Sequence, residues 1–289
     1  MLKRIEAYYD AVTRPSSRAE DFGPLTLFVQ AGDGWPYYAR PTLGHEGEVA
    51  VEAVEAVRAR QRELGVPEAF EWVAETTPGL RAAVEATGLT VHEHPLMVLE
   101  GDGLDVPAPE GVTVRMVGAD DTALETAVAA PFAAFGMPPM PGAADRVAHR
   151  ITAGLTRLAA ALDSSGHALS AGQHQPVGPV SEVVGVGTVP AAQRRGLALA
   201  VTAALVADAR AQGTDLVFLS ASDADVARIY GRLGFRTIAT ALIAEAETEA
   251  GADAGADAGS EAGSDAGSEA GSTANPETTS EASSQVSAL

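Results

Sequence analysis

The stretch from Ser181 to Ser220 constrains the fold of this chain more than any other. Ser181-Glu-Val-Val-Gly-Val-Gly-Thr-Val189 is rich in β-branched residues and reads as a strand. Pro190-Ala-Ala-Gln-Arg-Arg-Gly196 follows as a turn of small and cationic residues. Ala198–Gln212 then carries apolar side chains at helical spacing, with Gly213 behind it as a stop. Leu216–Ser220 is a short apolar run of the kind that forms a buried strand. A strand, a tight turn, a long helix and a second buried strand form a parallel crossover, so the chain is expected to build an α/β sheet.

The surrounding segments extend that plan. Val112–Val117 reads as a strand, and Asp120 and Asp121 offer caps for an alanine-rich helix running to Phe135. Gly136-Met-Pro-Pro-Met-Pro-Gly142 breaks that helix, because its prolines lack donors and restrict their neighbours. A second helix is expected over Ala143–Ile151. Leu155–Leu162 and Ala168–Gln175 read as strands joined by a turn at Asp163-Ser-Ser-Gly166. Asp223–Leu233 is expected as a helix and Arg236–Ile243 as a last strand. The N-terminal half has a shorter version of the plan: strands at Leu25–Gln30 and Tyr37–Ala39, a helix over Glu46–Leu64, a strand at Phe70–Ala74, a helix at Pro78–Thr87 and a strand at Val91–Leu99. Setting Gly88 against Gly234 aligns the halves without gaps here, so that Leu80 meets Val226, Val84 meets Tyr230 and Leu89 meets Phe235. The expectation is a degenerate α/β pseudo-repeat over 1–104 and a main α/β domain over 105–244, joined through the Pro- and Gly-rich stretch Gly101–Gly111.

Residues 245–289 are expected to form no fold. They are almost all Ala, Gly, Ser, Thr and acidic residues with almost nothing to bury, and that cannot offset the entropy of ordering a chain. This acidic tail holds half of the formal net charge of −20, so the remainder is only moderately acidic. A nucleic-acid partner is not expected, since phosphate binding needs a basic surface. The chain has no cysteine, which excludes disulfides, thiolate metal sites and a cysteine nucleophile. With no signal-peptide core and no long uncharged apolar run, the expectation is a cytoplasmic protein with no membrane partner.

The chemistry concentrates at the turn before the long helix. Small residues at a helix N-terminus leave several N–H groups without acceptors, and the helix dipole adds positive potential there. Gly196 and Ala198 present no bulky side chain to an approaching phosphate, and Arg194 and Arg195 add charge. Gln193-Arg-Arg-Gly-Leu-Ala198 resembles the Gln/Arg-x-x-Gly-x-Gly/Ala signature of the GNAT superfamily of acyl-CoA N-acyltransferases. Tyr230-Gly-Arg-Leu-Gly-Phe235 resembles that family's Tyr-x-x-Leu-Gly-Phe helix end, and the strand before Pro190 falls where the family's central strand would.

The resemblance covers about Val112 to Ile243 and implies a GNAT-type mixed sheet flanked by helices, with acetyl-CoA as cosubstrate and no metal. It implies that the backbone of Val186, Gly187 and Thr188 pairs with the pantetheine arm. Amides of Gln193, Arg194, Arg195, Gly196, Leu197 and Ala198 would cradle the pyrophosphate. Tyr230 would be the general acid toward the CoA thiolate, its alternative reading being a core aromatic residue. Glu182 would be the general base, its alternative a solvated strand-end carboxylate. Asp223 stands where the family often has Asn and is assigned no contact with CoA. His92 and His94 share a strand face without a third ligand, and His149, His167 and His174 are assigned nothing.

The N-terminal half puts Thr42-Leu-Gly-His-Glu-Gly-Glu-Val49 where a phosphate loop would stand, and those carboxylates would repel a pyrophosphate. That half is therefore expected to wall the acceptor cleft. The function expected is acetyl transfer by direct attack of an amine, small-molecule or peptide, on the thioester. The alternatives are a non-catalytic acyl-CoA-binding or regulatory module, and an unrelated α/β domain. A homodimer is left open.

Overall fold

The computed structural model describes residues 1–31 and 38–246. The expected acidic tail lies outside the described residues from position 247 onward, as does Tyr37 of the expected second strand.

Eleven strands and seven α-helices are described. Helix α1 (Leu2–Thr13) was not anticipated, although Ile5, Tyr8, Tyr9 and Thr13 share one helical face and are all buried. Strands β1 (Ser17–Asp21), β2 (Leu25–Gln30) and β3 (Ala39–Pro41) lead into α2 (Val51–Leu64), β4 (Ala69–Val73), α3 (Leu80–Glu85) and β5 (Thr90–Leu99). The second half runs β6 (Thr113–Val117), α4 (Leu124–Ala134), α5 (Ala143–Thr152), β7 (Arg157–Leu162), β8 (Ala168–Val177) and β9 (Val180–Thr188). It ends with α6 (Leu197–Ala211), β10 (Leu216–Ser220), α7 (Ala224–Gly231) and β11 (Phe235–Glu245). Helix α2 starts five residues later than the expected Glu46. Its cap Ala50 is extended, and the acidic stretch before it, after a turn at Gly44 (φ 82°), is not helical. Helix α7 begins where expected because the Asp223 carboxylate accepts from the N–H groups of Asp225 and Val226 at 2.7 and 2.8 Å.

All strands join one sheet in the order β1-β2-β3-β4-β11-β5-β10-β9-β8-β7-β6. The expected parallel crossover is present as β9–α6–β10. At the centre the two halves exchange strands. Strand β11, from the end of the described chain, pairs antiparallel with β4 of the first half, while β5 pairs antiparallel with β10 of the second. Strands β5 and β11 pair with each other between them. The expected boundary at residue 104 thus falls between two strands of a single sheet.

Strand alternation assigns the helices to two faces. Ala159 and Ala161 of β7, Val183 of β9, and Val217 and Leu219 of β10 pack under α6 and α7. Leu158, Ala160 and Leu162 turn the other way, under α4 and α5. On that second face, Leu96, Val98, Leu216 and Phe218 are covered by α1, with Tyr8 and Tyr9 edge-on to Phe218. A third core holds α2 and α3 on β2, β3, β4 and the end of β11. Among the described residues no helix is long and apolar enough to cross a membrane.

Candidate active site

The site forms where the sheet comes apart. Strands β9 and β10 pair only from Leu216↔Val180 to Phe218↔Glu182. Strand β9 continues to Thr188, still paired with β8 but without β10 beside it. A bulge opposite Gly172, at Gly185 (φ 58°) and Val186, bends β9 away. The edge Val183–Thr188 therefore borders an opening rather than a strand. Gly187 is required here for another reason: a Cβ on it would stand 2.6 Å from the Cα of Pro131, because α4 lies directly on the bulge.

The loop after β9 contains a short 3₁₀ turn, Pro190–Ala192, and reaches α6 through Gly196 at φ 79°. Arg194 takes φ 62°, the single left-handed non-glycine among the described residues. Such a conformation costs about 1–2 kcal/mol outside glycine and clusters at functional loops. The first helical bond ahead of α6 is donated by Ala200 to the Gly196 carbonyl at 3.1 Å, so the amides before it point out of the helix end without helical acceptors. Gln193, Arg194, Arg195 and Gly196 are exposed, Ala198 is half-buried, and the Leu197 side chain is core. The arrangement is a row of amides at the positive end of a fifteen-residue helix, with the Gln193 N–H at its start donated to the Pro190 carbonyl at 3.4 Å.

Glu182 and Tyr230 approach the opening from opposite faces of the sheet and line one open cleft. The Tyr230 ring packs edge-on to Phe235 on the α6/α7 face, and its hydroxyl meets that of Thr202. Burial raises its pKa to about 12 against the opposing Thr202 hydrogen bond, so it holds its proton at physiological pH. Glu182 lies on the α1 face and is 8% exposed, which removes the reading of a solvated strand-end carboxylate. Burial, reinforced by the negative charge of Glu71, pushes its pKa up to about 8, while Arg40 and the Tyr9 phenol act the other way.

The first half supplies the rest of the cleft. Tyr9 of α1 donates to Glu182 Oε1 at 3.2 Å. Its ring lies 3.8 Å beneath the guanidinium of Arg40, which donates to Glu71 at 2.8 Å. Tyr38 hydrogen-bonds Glu71 as well. Burial raises the Glu71 pKa in spite of Arg40. In a flat sheet β3 and β9 would stand about 24 Å apart, five strand spacings. Tyr9 touches residues of both, so the sheet must curl strongly around α1. Arg40, Glu71, Tyr9 and Tyr38 carry no motif, and nothing in their spacing marked them as site residues. Tyr9 alone had a signal, the helical periodicity of residues 2–13.

The other polar residues have structural partners. His94 Nδ1 lies 3.0 Å from the Ser222 carbonyl at the cleft wall. His174, fully buried, links Ser181 Oγ at 2.8 Å to Asp208 at 2.9 Å, and Asp208 also pairs with Arg157. This network fastens α6 to β7, β8 and β9 from the face opposite Glu182. Asp163 accepts from the N–H groups of Ser165 and His167 and closes the expected hairpin turn. Among the described residues no group of three His, Asp or Glu side chains could hold a metal ion.

With this geometry in place, the chain can be compared with known proteins. Residues 166–243 match the model of the FR47-like protein family. A GCN5-related N-acetyltransferase from Kribbella flavida is 26% identical over 87% of this chain and 97% of its own, with a TM-score of 0.66. One from Sphaerobacter thermophilus shares the fold at 17% identity, covering 78% of this chain and 81% of its own, with a TM-score of 0.57. A tandem GNAT protein from the clavulanic acid biosynthesis pathway shares it at 14% identity, covering 80% and 83%, with a TM-score of 0.52. No curated protein matches the chain. The chain thus shares the fold of GCN5-related N-acetyltransferases, and its residues 166–243 resemble the FR47-like family.

Proposed function

We propose that the protein is an acetyl-CoA-dependent N-acetyltransferase whose acceptor amine attacks the thioester directly. The observation that carries this reading is the placement of Glu182 and Tyr230 on opposite faces of one opening in the sheet. A base and an acid on either side of a reacting carbonyl are what aminolysis of a thioester needs. The donor would lie in the splay, its pantetheine arm against the free edge at Val186, Gly187 and Thr188. Its pyrophosphate would sit on the amides of Gln193 to Ala198, with Arg194 and Arg195 alongside. Glu182, directly or through a water, would take a proton from the ammonium of the acceptor. The freed amine adds to the carbonyl carbon, the tetrahedral intermediate collapses, Tyr230 gives its proton to the departing CoA thiolate, and the second nitrogen proton restores the Tyr230 phenol. A carboxylate that titrates near 8 is a stronger base than an ordinary one, and a phenol with a raised pKa arrives protonated. In this reading the first half has no cofactor of its own and serves as the far wall of the acceptor site.

The test is a thermal-shift titration with acetyl-CoA and with CoA, followed by release of free thiol in the presence of amines. Ligand binding to the native state must raise Tm with concentration. An Ala198→Glu variant, which sets a carboxylate in the donor row at a position that favours acidic residues, should keep its fold and lose the shift. A wild-type protein that neither ligand stabilises at millimolar concentration would end the proposal. Stabilisation without turnover would favour the binding-module reading.

A further inference from the structure

On the α1 face the cleft is charged in a particular way. The Arg, Asp and Glu side chains that line it among the described residues are Arg40, Glu71 and Glu182. Arg40 is 3% exposed, bonded to Glu71 at 2.8 Å, and capped by the faces of Tyr9 at 3.8 Å and Tyr38 at 5.7 Å. Its positive charge is therefore neutralised and enclosed. Glu182 has a phenol donor in Tyr9 but forms no ion pair among the described residues. The cleft amounts to one neutral buried pair plus one further carboxylate. An ammonium group entering it favours ionisation of Glu182 and balances the charge formed there. A carboxylate or phosphate on the same small molecule would face two buried acids, with the one guanidinium already engaged. Apolar walls at Val184, Val226 and Ile243 would receive a hydrocarbon or aryl body.

We propose that the acceptor is a compact amine with no anionic group beside its amino group, and that the Arg40–Glu71 pair of the first half is the specificity device that excludes amino acids. The proposal rests on the acyltransferase reading for its donor, but it concerns binding and can be tested without turnover. Neither Arg40 nor Glu71 touches the reacting atoms in this arrangement. Glu71 keeps Arg40 from serving as a carboxylate receptor. The same two residues would be needed in any folded state, so their role in choice of acceptor must be separated from their role in packing.

Calorimetric titration of the full chain saturated with CoA makes that separation. The probes are 2-phenylethylamine, L-phenylalanine and L-phenylalaninamide, with n-hexylamine, L-norleucine and L-norleucinamide as a second set. The amides keep the size of the amino acids without their negative charge. The expected result is that an amine and its matching amide bind at least about tenfold more tightly than the amino acid, equivalent to about 1.4 kcal/mol. Glu71→Gln should then narrow the ratio by freeing the guanidinium for the carboxylate, a change that loss of packing alone would not produce. Amino acids that bind as well as their amides, or no binding by any probe at millimolar concentration, would overturn the proposal. If Glu71→Gln does not fold, the wild-type comparison of acid with amide decides alone. Selective binding with no acetyl transfer, measured in parallel as thiol release, would leave the specificity proposal standing and reject the catalytic reading.

Discussion

At the scale of single residues, the consequential group is a carboxylate that resists ionisation. Glu182 is held near 8 by burial and by Glu71, so acetyl transfer should rise with pH along a limb centred near pH 8. Glu182→Gln should lower kcat by about 10²-fold or more and remove that limb, as a pH–rate profile would show. The same shift has an opposite consequence for stability. A raised folded pKa means the protonated form is favoured in the fold, so its contribution is complete below about 4.5 and is lost as pH rises to about 8. Glu182→Gln should therefore melt higher than wild type at pH 9, by roughly 5 °C, with the gap closing toward pH 5. An unchanged gap across that range would show that Glu182 ionises freely. Tyr230→Phe should fold normally and lose about 10²-fold in kcat with little change in the Kd for acetyl-CoA, because in the proposed mechanism the hydroxyl acts on the departing thiolate rather than in binding.

At the scale of elements, two contacts hold β9 and α6 in shape. Helix α4 rests on the bulge of β9 so closely that Gly187 has no room for a side chain. Gly187→Val should cost about 1–3 kcal/mol in a denaturant titration and weaken acetyl-CoA binding in parallel, since the free edge would have to move. On the opposite face, α6 carries the donor row and is fastened by Asp208 to His174 and Arg157. Burial opposes ionisation of Asp208, but Arg157 and His174 outweigh it and hold its pKa low. Burial also lowers the His174 pKa, so the ring is kept neutral. Asp208→Ala leaves a buried imidazole nitrogen without its partner and should cost about 1–3 kcal/mol near neutral pH. The wild-type contribution of Asp208 is present above the ordinary carboxylate range and is lost as pH falls through its depressed folded pKa. Acid unfolding monitored by circular dichroism should show the difference between variant and wild type shrinking at low pH.

At the scale of the whole molecule, strand exchange makes the halves interdependent. Strand β5 fills the space beside β10 that the second half does not fill for itself, and β11 does the same for β4. Residues 105–246 produced alone would present β10 with an unpaired apolar edge and uncover the face that α1 protects. That fragment should aggregate or fail to give a cooperative melt, while residues 1–246 should melt as one unit by calorimetry. A soluble, cooperatively folding C-terminal fragment that binds acetyl-CoA would show the exchange to be dispensable. The same curvature of the sheet brings Arg40 and Glu71 to Glu182, so integrity of the fold and assembly of the cleft are one property.

The sequence alone determined whatever depends on neighbours along the chain. The β9–turn–α6–β10 crossover followed from period and turn chemistry, as did a helix beginning at Asp223, because backbone geometry there is set within a few residues. The pattern shared by the segments around Gly88 and Gly234 was also legible; both glycines take positive φ, at 85° and 97°, between a helix and a strand. Glu182 could be named as a candidate, but whether it faced water or protein could not, since burial depends on what packs over a strand. Only the tertiary structure decided that α1 covers it, that β5 and β11 change places, and that Arg40 and Glu71 reach it across a curled sheet. Those contacts join residues 31 to 173 positions apart and leave no periodic mark, because each is fixed by the shape of the whole sheet rather than by its own sequence neighbours.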